Sequence, residues 1–425
     1  MLIKRCKKWI VFFIFFSLIN ILCVNSVFIS LNSPKFEPVL FRKPFECKIN
    51  TEDENYIEIS GIIRNSYISY INVCSDYDNI KDDESCEKSN GFFSSLFESL
   101  ESLYLFGHND LLLESKIRIS KINIREIEWV SKREFWGRCI GSLIGIYHLS
   151  NDHFYLEIAE RFACICMDID QAPIPLCSII NFNKSLCKSV QWNHGVHISD
   201  ILAGLPELLS LYYITNSANY LYYAHSIINE VIKKGIPAYY SKSNTNLSRD
   251  WSYSPSFSFI NQLYTIFKLY PVFNISKIIN RITKIALSSY DCSDLTPLIE
   301  LTLELGIRLD SNSKIKKCSI ANNAITSYLK LDNFLFESDL LRLFYTNKIE
   351  FDRDQVLEDA VEIIEYCLSG SIINGFSNTK QGVVFDGIQH SSFFSWANIV
   401  LLLSTAIETK TKIMFNQYGH VLHIE

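Results

Sequence analysis

Three features that would assign the chain to common protein classes are missing. No two cysteines have the two intervening residues typical of paired zinc ligands, so a zinc site is not expected. Lysine and arginine form no stripe that could follow a phosphate backbone, and the formal net charge is −6, so nucleic acid is not an expected partner. Beyond the N-terminal segment, no run is long and apolar enough to span a membrane.

The chain is rich in the hydrophobic residues that form a protein core. Its 425 residues are 48% hydrophobic and 13% aromatic. This is ample for one large packed domain or for two.

The N-terminal segment has the pattern of a secretory signal. Four basic residues come first: Lys4, Arg5, Lys7 and Lys8. The apolar run that follows, 9–24, is about 16 residues long, whereas a membrane span needs about 20. We therefore expect residues 1–26 to be a signal peptide, or alternatively an uncleaved anchor that would bring in a membrane. Residues 27–60 would form a lumenal lead segment before a domain spanning 61–425.

Cysteines and glycosylation sequons fit a lumenal chain. Of 13 cysteines, 11 follow the signal (13 minus Cys6 and Cys23). Disulfides are expected in an oxidising lumen, although the spacing does not define the pairs, and the odd count leaves at least one thiol outside an internal pair. Three sequons, at Asn183, Asn246 and Asn274, suit the same compartment, although a chain this rich in Asn and Ser contains some by chance.

A recurring phrase predicts helical hairpins: an apolar helix end, a small polar turn, then another helix. It occurs at 143–162, 208–228 and 340–368, and more loosely at 261–287. Hairpins that cannot bury their faces alone must stack, either in an open solenoid or in a closed toroid. The alternating, strand-like run 413–425 favours closure, because a lone strand needs a partner or an enclosure.

One helical stripe combines charge with glycine. At helical spacing Glu134, Arg138, Gly141 and Gly145 share a face. Locally, Glu134 and Arg138 are compatible with a surface ion pair at a helix start, of a kind that contributes little stability. Glycines on the same line would instead let a neighbouring element approach closely.

Five blocks, in order, resemble one family. The stretch 94–107 is similar to an early helix of the form Thr-Leu-x-Asp-Ser-Leu-Asp-Thr-Leu, and 131–152 to Phe-Glu-x-x-x-Arg-x-x-Gly-Gly-Leu-Leu followed by Leu-Ser-Gly-Asp. The stretch 204–216 resembles a Leu-Gln-Leu-Glu-Phe helix, 301–306 a Gly-Thr-Leu-Ala-Leu-Gly block, and 415–424 a terminal Phe-Asn-Thr-Glu-Ala-His-Pro-Leu. The family is glycoside hydrolase family 47, the class I α-1,2-mannosidases and the related ER degradation-enhancing mannosidase-like proteins.

The resemblance implies a fold and a reaction. The fold would be all-α, an (α/α)7 barrel over 61–425 whose narrow end is plugged by a terminal β-hairpin. The reaction would be inverting hydrolysis, in which an acid protonates the leaving oxygen and a base activates water across a gap of roughly 6.5–9.5 Å. Glu134 matches the acid and Arg138 a glycan-contacting arginine. Calcium would coordinate sugar hydroxyls inside the barrel.

The remaining site residues follow from the same blocks. Glu207 matches the carboxylate of the Leu-Gln-Leu-Glu-Phe helix, with a plain helix-start carboxylate as its alternative, and His420 is kept in the terminal block as a substrate-binding candidate. The base would be Glu337, or Asp250 if the alignment contains an insertion. Gln417 replaces the calcium-binding threonine and still offers carbonyl oxygens.

Several positions depart from the family. Phe257, Asp294 and Ser391 stand where an aspartate, a histidine and a glutamate are expected, and Tyr418 stands where the terminal block has glutamate. Positioned proton transfer is typically worth about 10²–10⁴-fold, so the loss of a base would slow turnover severely. The pattern therefore indicates a divergent or weakened member.

Three readings of function remain. The first is an enzyme that trims α-1,2-linked mannose from high-mannose N-glycans in the endoplasmic reticulum or Golgi, serving quality control of misfolded glycoproteins. The second is a glycan- or client-binding protein that keeps the barrel without turnover. The third is an unrelated helical-repeat scaffold, which predicts that Glu134, Glu207 and Glu337 do not cluster.

Overall fold

The computed structural model describes most of the chain's first half after residue 53 and the closing segment. The described residues are 54–80, 86–87, 91–170, 177–189, 196–234, 239–240, 376–379, 382–385, 413–416 and 418–424, with 262, 266 and 269 as single positions. The predicted signal, residues 1–26, and the lead segment up to 53 lie outside them. None of the described helices combines the length and apolarity needed to cross a membrane.

Helices dominate this part of the chain, which confirms the predicted all-α class. They are α1 (Glu54–Cys74), α2 (Ser94–Leu105), α3 (Asn109–Lys121), α4 (Lys132–Glu134), α5 (Gly141–Ser150), α6 (His153–Ile169), α7 (Ile198–Ile201), α8 (Leu205–Thr215) and α9 (Ala218–Lys233). A 3-10 turn occupies Ile124–Glu126, and a π-helical turn, Phe135–Ile140, joins α4 to α5. The continuous stretch 132–150 is called the site helix below.

The strands are short and pair antiparallel. They are β1 (Asn79–Ile80), β2 (Cys86–Glu87), β3 (Trp129–Ser131), β4 (Ile179–Asn181), β5 (Leu186–Lys188), β6 (Val196–His197), β7 (Tyr239–Tyr240), β8 (Phe376–Thr379), β9 (Gly382–Phe385), β10 (Ile413–Phe415) and β11 (Val421–Ile424). Strands β3, β4 and β5 form one sheet in that order, and the other strands form two-stranded pairs.

Two predicted helical hairpins are confirmed with their turns. The helix pair α5–α6 turns at Asn151 (φ 56°), and α8–α9 turns at Asn216 (φ 54°). Each asparagine takes the left-handed conformation that ends many helices, and its N–H bonds a carbonyl of the last helical turn. Asp152 then caps the next helix by accepting from the Phe154 amide (3.0 Å). The predicted hairpin 340–368 lies outside the described residues, as does nearly all of 261–287.

Helix α2 lies at the centre of the packing. It contacts α3 and α5, while α5 contacts α6 and α8 packs on α9. Every α2 residue except Tyr104 is buried, including Glu98 and Glu101. Burying a carboxylate without a partner is costly, so these two side chains require partners inside the protein.

The terminal strand prediction is confirmed. Strands β10 and β11 pair with Ile413 opposite Ile424 and Met414 opposite His423, with a shift in register after Met414. Strand β11 lies against α5 and α8, and Ser210 of α8 donates to the Leu422 carbonyl (2.5 Å). We call 413–424 the closing hairpin. It lies enclosed among helices, while the residues needed to complete seven helical hairpins fall outside the described part.

Candidate active site

The start of the site helix is held by the small sheet. Strand β3 leads directly into α4, and the Lys132 amide bonds the Ser178 carbonyl (2.9 Å) beside β4. The Lys132 ammonium and Asp170 form a buried ion pair (2.5 Å), and the Ser131 hydroxyl caps the helix by accepting from the Glu134 amide (3.4 Å). Glu134 is therefore presented from a fixed first turn, immediately before a π-helical turn of the kind often found at functional sites.

Glu134, Arg138 and Glu98 form a connected chain of charges. The Arg138 guanidinium donates through Nε to Glu134 Oε2 and through Nη1 to Glu98 Oε1. The Glu98 side chain is fully buried, that of Arg138 is 10% exposed and that of Glu134 is 17% exposed. The surface-pair reading is therefore wrong: this pair lies in the protein interior, where charged hydrogen bonds are strong.

The glycines of the site helix receive the closing hairpin. A Cβ on Gly137 would stand 2.1 Å from the Tyr418 ring, and one on Gly141 would stand 2.3 Å from the Asn416 amide nitrogen. A Cβ on Gly145 would stand 1.8 Å from a carboxylate oxygen of Glu101. The glycine stripe thus allows close approach, as predicted, but the partners are the closing hairpin and one side chain of α2. Gly137 was missing from the sequence-based stripe.

Asn416 organises the turn of the closing hairpin. Its Nδ2 donates to the Gly137 carbonyl (2.7 Å) and to Glu207 Oε1 (3.0 Å). Its Oδ1 accepts from the amides of Tyr418 (2.9 Å) and His420 (3.1 Å). One buried amide therefore joins the site helix, the first turn of α8 and the hairpin.

Glu207 lies at that junction in the first turn of α8. It is 3% exposed and follows Pro206, so it is both a helix-start carboxylate and a member of the site. Burial raises the pKa of Glu207, and the hydrogen bond from Asn416 only partly opposes this. The fold therefore holds a carboxyl here that takes up a proton more readily than usual.

His420 and Glu101 form a buried pair. The His420 Nδ1 lies 2.5 Å from Glu101 Oε2, and the Val421 amide donates to Glu101 Oε1 (3.0 Å). Both side chains have no exposed surface. His420 therefore anchors the closing hairpin to α2 in this structure, and its contact with substrate stays a prediction.

Tyr418 covers the charged chain. Its hydroxyl donates to Glu134 Oε1 (2.9 Å), and its ring lies 4.5 Å from the guanidinium carbon of Arg138. The residue is 8% exposed. In the sequence Tyr418 was visible only as a departure from the family pattern, and nothing local predicts that it touches Glu134.

The charges around Glu134 decide its protonation. Burial raises the pKa of Glu134, but the guanidinium groups of Arg138 and Arg133, with hydrogen bonds from Arg138 and Tyr418, outweigh this and leave the pKa lowered. The Arg133 guanidinium lies 3.8 Å from Glu134 Oε1. In this arrangement Glu134 is a carboxylate at neutral pH.

Comparison with known families assigns this region. Residues 62–262 match the family described as Glycosyl hydrolase family 47. Over those residues the chain is similar to glycosyl hydrolase family 47. The match includes Glu134, Arg138 and Glu207, and it confirms the resemblance predicted from the blocks at 94–107, 131–152 and 204–216. No curated protein matches the sequence.

Solved structures add two similarities. Alpha-1,2-mannosidase from Trichoderma reesei matches with 17% identity and a TM-score of 0.44, over 53% of this chain and 52% of that chain. An inactive variant of alpha-1,6-mannanase GH76A of Salegentibacter sp. HEL1_6, in complex with alpha-1,6-mannotriose, matches with 13% identity and a TM-score of 0.42, over 82% of this chain and 99% of that one. The chain thus spans about half the length of the Trichoderma enzyme.

Four of the seven family-derived site residues meet at the closing hairpin. Glu134 and Arg138 contact Tyr418, Glu207 bonds Asn416, and His420 belongs to the same turn. Asp250, Glu337 and Gln417 lie outside the described residues. Glu134 and Glu207 both contact the turn of the closing hairpin. An unrelated scaffold predicts that they do not cluster.

Glu98, Glu101, Asn416 and Tyr418 were missed as site residues. Glu98 and Glu101 did carry a signal, because two acidic residues three apart in the apolar helix 94–105 share a face that must be buried. Asn416 lies in the block 415–424, but nothing local marks it as a site residue. Its contacts depend on residues more than 200 positions away.

A calcium site is not formed by the described carboxylates. Glu101 directs its two oxygens at His420 and Val421, and Glu134 directs its two at Arg138 and Tyr418. In the described ranges, the close group of metal-ligating side chains is Asp170 with Cys177 and Cys187, and those two cysteines form a disulfide. A hard cation wants oxygen ligands, so these residues do not fit it.

Proposed function

We propose that the protein is a glycoside hydrolase that removes α-1,2-linked mannose from high-mannose N-glycans in the secretory pathway. The observation that carries the proposal is the position of Glu134, which lies within the family-matched region on a helix whose start is held by the small sheet and by the Lys132–Asp170 ion pair. Its carboxylate is the partly exposed end of a buried charge chain through Arg138 to Glu98. A carboxyl held in this way can contact a substrate on its exposed side while Arg138 fixes its orientation from the protein interior.

Each residue has a distinct role in the proposed reaction. Glu134 would protonate the leaving glycosidic oxygen, and Arg138 would orient it through Oε2 while Glu98 neutralises the guanidinium. A second carboxyl, Glu337 or Asp250, would activate water from the opposite face. The lowered pKa of Glu134 means that its protonated form is populated only at acidic pH, so activity should rise as pH falls below neutral.

Calcium is a further part of the proposal. It would be held through an oxygen of Gln417 and, when bound, would coordinate sugar hydroxyls. The described carboxylates around Tyr418 do not act as calcium ligands. The ligands would therefore come from Gln417 and from residues outside the described part.

The signal pattern and the disulfides support the proposed compartment. Cys74 pairs with Cys86, and Cys177 with Cys187. Disulfides persist in oxidising compartments, which supports the lumen of the endoplasmic reticulum or Golgi and a role in quality control of misfolded glycoproteins.

A second function is favoured by one observation. Tyr418 and Arg138 occupy both oxygens of Glu134 with donors, which suits a binding protein that holds mannose chains without cleaving them. The experiment must therefore separate cleavage from binding.

The test uses the lumenal chain from residue 27, purified with calcium and incubated with a high-mannose oligosaccharide between about pH 4.5 and pH 7. Free mannose and product masses are followed beside Glu134→Gln, and glycan binding is measured in parallel. Mannose release that Glu134→Gln and calcium chelation both abolish supports the hydrolase with calcium. No release together with retained binding supports the glycan receptor, and neither release nor binding rejects both.

A further inference from the structure

In the described part of the chain, the polar groups facing the Glu134 carboxylate are all donors to it. Arg138 faces Oε2, Tyr418 faces Oε1, and Arg133 lies 3.8 Å from Oε1. A guanidinium has donors and no acceptor, so neither arginine can accept a proton from Glu134. The Tyr418 hydroxyl is the one amphoteric partner among these three groups.

The orientation of that hydroxyl is given by its hydrogen bond to Glu134. Its O–H donates to Glu134 Oε1 (2.9 Å), and the neighbouring Arg133 guanidinium, 3.8 Å from the same oxygen, can only donate. The phenolic proton is therefore directed at Glu134 Oε1. A proton on either oxygen of Glu134 would face a donor, so this network selects the unprotonated carboxylate.

The position of Tyr418 is itself built into the fold. The ring lies against Gly137, where a Cβ would stand 2.1 Å away, and over the Arg138 guanidinium. Asn416 Oδ1 holds the Tyr418 backbone amide (2.9 Å). The side chain is thus fixed from the helix below and from its own turn.

We propose that Tyr418 is a positioning residue that holds Glu134 as a hydrogen-bond-accepting carboxylate and so sets the pH below which Glu134 can donate a proton. The proposal deepens the proposed hydrolase and rests on it for its consequence in catalysis. Among the residues that the structure describes, the charged and titratable groups facing Glu134 are Arg133, Arg138 and Tyr418, with Asp200 of α7 nearby and Glu98 behind Arg138. Of these, Tyr418 is the one that the closing hairpin contributes.

The first test measures the carboxyl group directly. Chain carrying [5-13C]glutamate is titrated by NMR at constant calcium, and Glu134→Gln identifies the Glu134 signal. Tyr418→Phe keeps the ring and removes the donor. We expect the Glu134 midpoint to rise by about one pH unit, the size of effect typical of one charge-assisted hydrogen bond. Tyr67→Phe, which removes another buried hydroxyl bonded to Ser115, should leave it in place.

The second test measures the consequence in catalysis. Because only protonated Glu134 can act as the acid, the alkaline limb of the pH profile of mannose release should move up by the same shift in Tyr418→Phe. The rate near pH 7 should then rise about tenfold, since each pH unit is a factor of ten in the protonated fraction.

The two tests fail separately. If no variant releases mannose, the proposed hydrolase fails while the carboxyl titration still decides the role of Tyr418. An unchanged Glu134 midpoint in Tyr418→Phe overturns the inference. A wild-type midpoint at or above the ordinary glutamate value overturns it as well, even if the variant cannot be purified.

Discussion

Single residues in the site work as parts of one hydrogen-bonded set. Glu98, Glu101, Glu134 and Glu207 are four carboxyls in a region where burial opposes charge, and each has a donor from another element. Their partners differ, and so does the outcome: arginines lower the pKa of Glu134 and keep it ionised, whereas burial raises the pKa of Glu207 more than the hydrogen bond from Asn416 lowers it. Two glutamates in one site are thereby given opposite protonation preferences.

Glu207→Gln tests the raised pKa. The folded chain binds this proton more tightly than the unfolded chain, so the stability from Glu207 is complete below the ordinary value of about 4.5 and is lost as pH rises toward the raised one. Glutamine keeps an acceptor for Asn416 and does not titrate. We expect its melting temperature to exceed that of the wild type at pH 7 and the gap to close toward pH 4.

The control for this substitution is Glu207→Ala, which removes the acceptor as well. It should lower the unfolding free energy by about 1–3 kcal/mol at either pH, because a buried amide loses a partner. Thermal unfolding followed by circular dichroism at both pH values gives the comparison. Equal melting temperatures for the wild type and Glu207→Gln at pH 7 would mean that Glu207 is not penalised by burial.

At the scale of elements, the main event is the docking of the closing hairpin onto the site helix. Because Gly137, Gly141 and Gly145 have no side chains, one face of the site helix lets side chains of other elements approach its backbone. The polar contacts of Asn416 and His420 then hold the hairpin to α8 and α2. Packing and hydrogen bonding therefore act at the same interface.

Gly137→Ala tests this docking. The added Cβ would stand 2.1 Å from an aromatic ring held on both sides, so the hairpin must shift, and we expect a loss of about 1–3 kcal/mol in unfolding free energy. Gly61→Ala is the matched control, since its Cβ meets nothing within 4 Å in the interior of α1. It should stabilise by roughly 0.5–1 kcal/mol. Similar changes in urea midpoint for the two variants would show that Tyr418 does not pack on Gly137.

The sequence predicted the elements better than their contacts. The helical turns at Asn151 and Asn216 and the strands 413–424 follow from local rules of helix ending and alternation. The π-helical turn and the role of Tyr418 could not be predicted, because the partner of Glu134 lies 284 positions away. The resemblance to the family predicted that four residues belong to one site. The local sequence pattern alone predicted only a surface ion pair at Glu134.

At the scale of the whole molecule, one exposed turn bears on the proposed compartment. Asn183 lies in the exposed turn between β4 and β5, in an Asn-Lys-Ser sequon, and the disulfide Cys177–Cys187 spans the base of the same turn. Asn183 is exposed and therefore open to modification, whereas Cys177 of the disulfide is buried.

Asn183 therefore provides a test of the compartment. Translation with microsomes should add one glycan at Asn183, seen as a mobility shift that endoglycosidase reverses, and Asn183→Gln should remove that one shift. Ser185→Ala should have the same effect, since it destroys the sequon without changing the asparagine. A wild-type chain that stays unmodified and protease-accessible would contradict the lumenal assignment.

The pairing of distant segments also fixes an order of events during synthesis. Glu101 and Glu134 leave the ribosome long before their partners His420 and Tyr418, which follow 319 and 284 residues later. Until then the two carboxyls lack these two partners, although Glu134 already has Arg138 close by in the sequence, and contacts of such long range form slowly. The hydrogen-bonded set around the closing hairpin can therefore be completed only after residues 413–424 have been synthesised.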